Sequence, residues 1–375
     1  MNDKLTYKYL VHLVSCTLRG ESPAEPPKGV SLQKVMAYGK FHEVANIAFL
    51  SASQLCHKRN PELHAKWKTL HALSLQRHAN QMAARETIVD ALSTAGIRHL
   101  EVQGTIMKTL YPQPHWRMMS DIDFIVDLEN LTKAEGVLQA IGYRTECHNG
   151  LEINAYGNHG IAVELHTDFF APTSVCYGTI RDPFSYAEPA EGYSHKGSNT
   201  IFYLYNLLHT IKHYLQRGAG IRRIMDLFIL RTHVWPKVDQ AYVQKVLADS
   251  GYADTAETLL AVAEKWFGCE AVQEAVSEAE ELVWAAGNHG TYQVSLINEY
   301  KNTDTQKKRF YKLRKFRALL FPPKEGIYKS YPQCRRLKLP VFLCWIYRWV
   351  YLLFHRKRRK DGLAMLSDIS KTTLK

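Results

Sequence analysis

The sequence predicts an α+β fold: a small mixed sheet bearing acidic side chains, wrapped by helices from both ends of the chain. Three observations predict it. The run Ser120-Asp121-Ile122-Asp123-Phe124-Ile125-Val126 alternates polar and apolar residues with the period of two of a half-buried strand. A longer stretch before it repeats apolar residues at helical spacing, through Leu75, Met82, Ile88 and Leu92. Gly96, Gly142 and Gly157-Asn158-His159-Gly160 then punctuate the chain where helices and strands would end or turn.

Taken in order, residues 1–95 read as a helical region. A loop over 20–29, with Pro23, Pro26 and Pro27, separates N-terminal helices, and the pattern over 32–55 suits helices that cover the sheet. The long helix that follows stops at Gly96, a residue able to take the left-handed C-cap. Residues 96–195 read as the core of the fold. His99-Leu100-Glu101-Val102-Gln103 gives a short strand, Gly104-Thr105 turns it, and Ile106, Met107, Leu110 and Tyr111 give a short helix that Pro112 and Pro114 end. Arg117 comes just before the acidic strand. A helix over 131–141 is closed by Gly142, and strands follow around Tyr143-Arg144-Thr145 and over 161–166. Residues 196–300 read as a helical region completing a cleft, and 301–375 as a basic, aromatic-rich helical tail.

Side chains alternate across a strand, so Asp121 and Asp123 project together while Ile122, Phe124 and Val126 enter a core. Two like charges held that close are costly unless a cation lies between them. Oxygen ligands of this type suit Mg²⁺ or Mn²⁺. The plainer alternative is a strand that ends in a solvated Asp-x-Asp. Over 161–166, Val163 and Leu165 take one face and Glu164 and His166 the other. If this strand pairs beside the acidic one, Glu164 adds a third carboxylate; otherwise it is an exposed strand residue. Three such carboxylates can hold two metal ions and activate a hydroxyl for in-line attack at phosphorus. A strand, a Gly and a hydroxyl residue opening a helix also make an anion site, so Gly104 and Thr105 are candidates to meet a phosphate, with Lys108 and Arg117 near enough to join them.

These elements resemble the nucleotidyltransferase superfamily that shares a DNA polymerase beta-like catalytic core. Its pattern is a hydrophobic residue, Gly, Ser or Gly, a short helix, an Asp-x-Asp or Asp-x-Glu strand and a later carboxylate. More narrowly they are similar to an uncharacterised bacterial nucleotidyltransferase family with a Lys-Gly, Tyr-Pro, Arg, Asp-x-Asp, Glu-Leu-His sequence. Here those positions read Gln103-Gly104, Tyr111-Pro112, Arg117, Asp121-Ile122-Asp123 and Glu164-Leu165-His166. A later His, Arg and Asp of that family match His209 or His213 and Gly220-Ile221-Arg222-Arg223-Ile224-Met225-Asp226. Gln103 stands where the narrower family often has Lys, and Thr105 where many superfamily members have Ser. The resemblance spans residues 40–290 or thereabouts.

The resemblance implies a minimal polymerase beta-like core with helical additions, and Mg²⁺- or Mn²⁺-dependent transfer of a nucleotidyl group from an NTP to an unidentified hydroxyl or phosphate acceptor. Asp121, Asp123 and Glu164 would be the metal and catalytic carboxylates, Glu164 either completing a second metal site or serving as base. Gly104, Thr105, Lys108 and Arg117 would bind the nucleotide, and His166, Arg222 and Asp226 would line the cleft. For Arg222 and Asp226 the alternative is a structural pair at i, i+4. Surface-polysaccharide or glycan biosynthesis is the setting the resemblance suggests. A chain with the same fold that binds nucleotide or scaffolds without turnover is the competing reading.

At 375 residues the chain can bury a sizeable core. Its seven cysteines include no Cys-x-x-Cys pair, which suits reduced thiols in a cytoplasm, and the start Met1-Asn2-Asp3-Lys4-Leu5 has no apolar signal core. Charge is unevenly placed. Of 48 Lys and Arg against 36 Asp and Glu, residues 301–375 hold 21 against 4, so the basic excess belongs to the tail. Within it, 307–315 interleaves basic and aromatic residues, and an almost wholly apolar stretch over 339–354, broken by Arg348, runs into His355-Arg356-Lys357-Arg358-Arg359-Lys360. That stretch falls short of the ~20 residues needed to span a bilayer. It suits a helix on the inner membrane face, contacting lipid through 339–360. A core helix with a solvated basic end is the alternative, and nucleic-acid binding is less favoured. His209 and His213 have metal-pair spacing but lack the Glu of His-Glu-x-x-His, so the helix over 201–215 reads as core.

Overall fold

The computed structural model describes residues 2–148, 150–268 and 277–372. It divides into two compact units, Met1–Tyr214 with Ala219–His289, and Leu215–Gly218 with Gly290–Lys375.

The first unit is built on the expected mixed sheet, here of seven strands: β1 (His99–Val102), β2 (Asp121–Val126), β3 (Arg144–His148), β4 (Glu152–Tyr156), β5 (Ala162–His166), β6 (Ala187–Pro189) and β7 (Ser194–Gly197). Their order is β3-β4-β5-β2-β1-β7-β6. β2 runs parallel to β5 and β1 parallel to β7, while the remaining pairs are antiparallel. Strand β4 is not separately visible in the sequence, because Asn154 and Ala155 are poor strand formers and its place in the sheet comes from pairing on both sides.

Helices α1 (Asn2–Arg19), α2 (Leu32–Phe41), α3 (Ala45–Arg59) and α4 (Pro61–Thr94) precede the sheet. Pro61 suits the first turn of α4, and the Asn60 side chain accepts the Leu63 N–H to cap it. Gly96, at φ 68°, follows its end in the expected left-handed conformation. α5 (Gly104–Thr109) and α6 (Leu131–Ala140) lie among the strands, and α7 (Asn199–Gln216), α8 (Ile221–His233), α9 (Gln240–Asp249), α10 (Ala253–Phe267) and α11 (Ser277–Ala286) follow.

Alternation along β2 buries Ile122, Phe124 and Val126 in one cluster with Ile153 and Ala155 of β4 and Val163 and Leu165 of β5. Ile88 and Leu92 of α4, and Leu131, Ala134 and Leu138 of α6, complete that core. Each Val, Leu, Ile or Phe side chain among them contributes about 1.5–3 kcal/mol by leaving water. This burial fixes the register. A slip of one residue would carry the apolar set to the other face, so the core determines that Asp121, Asp123 and Glu164 share the opposite face.

The turn between β1 and α5 differs in detail from the sequence expectation. The helix begins at Gly104 itself, and the unusual backbone falls on Gln103, at φ 57°. What Gly104 supplies is room: a Cβ there would stand 2.3 Å from the Met119 sulfur.

The regular elements that follow in the second unit are all helices: α12 (Tyr292–Lys301), α13 (Thr305–Lys308), α14 (Tyr311–Leu320), α15 (Lys324–Ser330), α16 (Pro332–Arg336), α17 (Val341–Phe354) and α18 (Arg356–Lys371). It has two small cores. Leu296, Tyr311 and Ile369 join α12, α14 and α18, while Ile327, Tyr331, Cys334 and Cys344 join α15, α16 and α17. No helix among the described residues is long and apolar enough to cross a membrane.

Candidate active site

Parallel pairing sets Asp123 of β2 opposite Glu164 of β5, with Ile125 opposite His166. The side chains at 123, 164 and 166 therefore emerge together. His166 Nε2 lies 3.4 Å from Asp123 Oδ1 and 3.4 Å from Glu164 Oε2. One ligand atom each from Asp123, Glu164 and His166 lies within 4.8 Å of the others, a set that could hold a metal ion. Its two carboxylates are oxygen donors of the kind Mg²⁺ and Mn²⁺ take, and the imidazole adds a nitrogen donor. His166 was expected only as a cleft residue. The signal that groups it with the ligands is the Glu164-x-His166 spacing on β5, which matches Asp121-x-Asp123 on β2.

Electrostatics mark the same face. Burial, then the charges of Asp123 and Glu164, push the Asp121 carboxyl up to about 7, against the pull of Arg222 and Arg223. Burial alone would depress the His166 imidazolium, but its bonds to Asp123 and Glu164 outweigh that and raise it to about 10. The carboxylates thus sit close enough to gain from a shared cation.

These residues line a cavity of about 290 Å³ together with Gln103, Arg117 and Glu152, with His209, Lys212 and His213 of α7, and with Arg222 and Arg223 of α8. Arg222 donates from Nε to Asn288 Oδ1 at 2.9 Å and lies 3.5 Å from Glu43. Arg223 sets Nη1 3.2 Å from His209 Nδ1, and its buried Nε has no hydrogen-bond partner among the described residues. Burial and then Arg222 bring the Arg223 guanidinium down to about 10. Burial, followed by Arg223, also lowers Lys212. His209 and His213 meet each other at 3.2 Å, and burial holds His209 well below the usual imidazole range. A neighbouring cavity of about 370 Å³ shares Glu152, His166, Phe170 and Ala171 with the first and adds Leu128, Leu151, Asp168, Tyr177 and Arg181.

Arg117 and Asp226 form a buried pair. Arg117 donates from Nε at 2.8 Å and Nη2 at 2.9 Å, and the Tyr111 hydroxyl donates to the same carboxylate at 2.7 Å. The i, i+4 alternative for Arg222 and Asp226 is thereby corrected, since each has another partner. Arg117 keeps one buried nitrogen, Nη1, without a partner among the described residues, and that atom stands 3.4 Å from where a Cβ on Gly104 would be.

The other expected nucleotide-binding residues lie outside this lining. Thr105 is buried with its hydroxyl unbonded among the described residues, and α5 is only a turn and a half long. Lys108 is 2% exposed and holds His78 Nδ1 and Gln81 Oε1, each at 3.2 Å. Gln103, by contrast, reaches into the cavity and donates to the Tyr205 hydroxyl at 2.8 Å. Sequence reasoning missed Glu152 and Lys212. Lys212 had a signal: with His209 and His213 it forms a basic i, i+3, i+4 stripe, the only Lys, Arg or His residues on α7.

A family model described as "uncharacterised nucleotidyltransferase" matches residues 28–268. No curated protein matches the chain, and no solved structure does. The matched span runs from α2 through α10 and contains all seven strands and every cavity residue named above. The chain belongs to this family of nucleotidyltransferases.

Proposed function

We propose that the chain transfers a nucleotidyl group from an NTP to a hydroxyl or phosphate acceptor, in the manner of the polymerase beta-like enzymes. One observation carries the reading. Four carboxylates, of Asp121, Asp123, Glu152 and Glu164, and His166 line the same cavity as two guanidinium groups, of Arg117 and Arg223, that each keep a buried N–H unpartnered among the described residues. Buried donors of this kind are expensive to leave unmade, and phosphate oxygens would satisfy them.

Asp123, Glu164 and His166, with Asp121 beside them, would hold a divalent ion, Mg²⁺ or Mn²⁺, which when bound neutralises triphosphate charge. Arg223, Arg222 and Lys212 orient the β- and γ-phosphates, and Arg117 approaches them across Gly104. Glu164 is the more open carboxylate, 32% exposed against 7% for Asp123, so it is the one that reaches the acceptor and takes its proton. The acceptor oxygen forms a bond to the α-phosphorus as the α–β bridging P–O bond breaks, and pyrophosphate leaves toward the arginines. Catalysis then rests on positioning and charge, with no covalent enzyme intermediate. The neighbouring cavity, beyond His166, gives room for the acceptor.

Incubation with NTP labelled at the α-phosphate, Mg²⁺ and cell extract tests the reading. Label should move to an acceptor while γ-label appears in pyrophosphate. Transfer of γ-label to the acceptor would instead mark a phosphotransferase, and binding without any transfer would mark a nucleotide-binding scaffold.

A further inference from the structure

We propose that the second unit docks on an anionic lipid bilayer through one face of α17, with that helix lying in the plane of the surface. Thirteen of the twenty-one large apolar side chains exposed among the described residues belong to this unit. They concentrate on α17, where Phe342 (57% exposed), Ile346 (57%), Trp349 (40%), Val350 (49%) and Leu353 (66%) recur at i, i+4, i+7, i+8 and i+11. That spacing is a single stripe along one side of a helix. The other side is occupied: Cys344 is buried, and Trp345, Tyr347 and Tyr351 pack on the cluster formed with α15 and α16.

Charge identifies the occupant. Exposed basic residues stand at both ends of the stripe, Arg335, Arg336 and Lys338 before it and Arg356 to Lys360 after it. An apolar stripe ended by cations matches the acyl boundary and the anionic headgroups of a bilayer, respectively. A second copy of this chain would bring two strongly basic surfaces together. A polynucleotide would meet the cations but leave Ile346 and Leu353 in water. At 14 residues α17 extends roughly 21 Å at 1.5 Å per residue, too short to cross the core of a bilayer, so it lies along the surface. Docking of this kind is independent of nucleotidyl transfer and would stand if that reading failed.

The test is sedimentation of the full chain with vesicles of phosphatidylcholine alone and of an equal mixture with phosphatidylglycerol, with circular dichroism as the check on folding. The chain should pellet with the mixed vesicles only. Ile346→Ser with Leu353→Ser, and separately Lys357→Glu with Arg359→Glu, should each weaken partition by roughly tenfold or more. Brominated lipid should quench fluorescence in the parent chain, and less so in Trp349→Phe. The proposal is overturned if the parent chain stays in the supernatant with mixed vesicles. It is equally overturned if the charge-reversed variant pellets unchanged, or if the chain is a dimer that Ile346→Ser dissociates.

Discussion

Asp123 stands where the contacts of the site meet. It is buried, it faces Glu164 across a parallel strand pair, and it shares His166 with that residue. Asp123→Asn keeps the shape and removes the charge, so it should cut nucleotidyl transfer at least about a hundredfold while the unfolding midpoint holds or rises. Lys108 makes the opposite case. Its chemistry suggested a phosphate ligand, but burial and then the charge of Arg117 bring it down to about 7 from its ordinary 10.5. The unfolded chain then binds more protons than the folded one between those values, so stability should rise as pH climbs from 7 toward 10. Lys108→Met should flatten that slope, by a difference on the order of a few kcal/mol between its ends, as read by urea unfolding at pH 7 and pH 9. Equal slopes in the two proteins would show that Lys108 is charged and solvated in the folded state. At this scale the acidic residues were legible because a strand's period of two places them without further information. The fate of Lys108 was not, because which side of a short helix faces the cavity depends on α4, and on His78 and Gln81 in particular.

Elements supply what single residues could not reveal. β2 and β5 were readable as strands, and the Asp-x-Asp and Glu-x-His spacings indicated which faces they would present. Their adjacency depends on pairing between distant stretches, which the sequence permits without stating. The helical wall was harder still. Arg222 and Arg223 adjoin in sequence, yet Arg222 is tied to Asn288 and Glu43 while Arg223 turns to His209. α8 is in turn fixed to the segment before β2 by the buried Arg117–Asp226 pair. Asp226→Ala should therefore destabilise the chain by about 3–5 kcal/mol, because it leaves a guanidinium buried without its counter-charge. A change below 1 kcal/mol in denaturant unfolding would contradict that role. Gly104→Ala should cost about 1–3 kcal/mol through overpacking against Met119, and Gly104→Ala with Met119→Ala should recover part of the loss.

Across the whole molecule, charge and chemistry are divided between the two units. The carboxylate-lined cavity belongs to the first, and the basic excess of the chain belongs to the tail that makes up most of the second. That asymmetry was legible from composition alone, as was the apolar character of 339–354. Which face of α17 stays exposed was not, since it depends on how α15 and α16 cover the other side. Vesicle binding by the second unit should fall steeply between 0.1 and 1 M salt, as screening shortens to about 3 Å, whereas an apolar contact alone would strengthen or hold. In the first unit, the proposed reaction makes the shared face of β2 and β5 the place where an NTP would be cleaved between its α- and β-phosphates. Pyrophosphate release from NTP and Mg²⁺ in the presence of extract as the source of acceptor, compared between the parent chain, Asp123→Asn and Glu164→Gln, tests it most directly. Release by the parent, abolished by chelation and lost in both folded variants, is the predicted result. Release that persists in Asp123→Asn would contradict it, as would a parent chain that binds NTP and liberates nothing in the presence of extract.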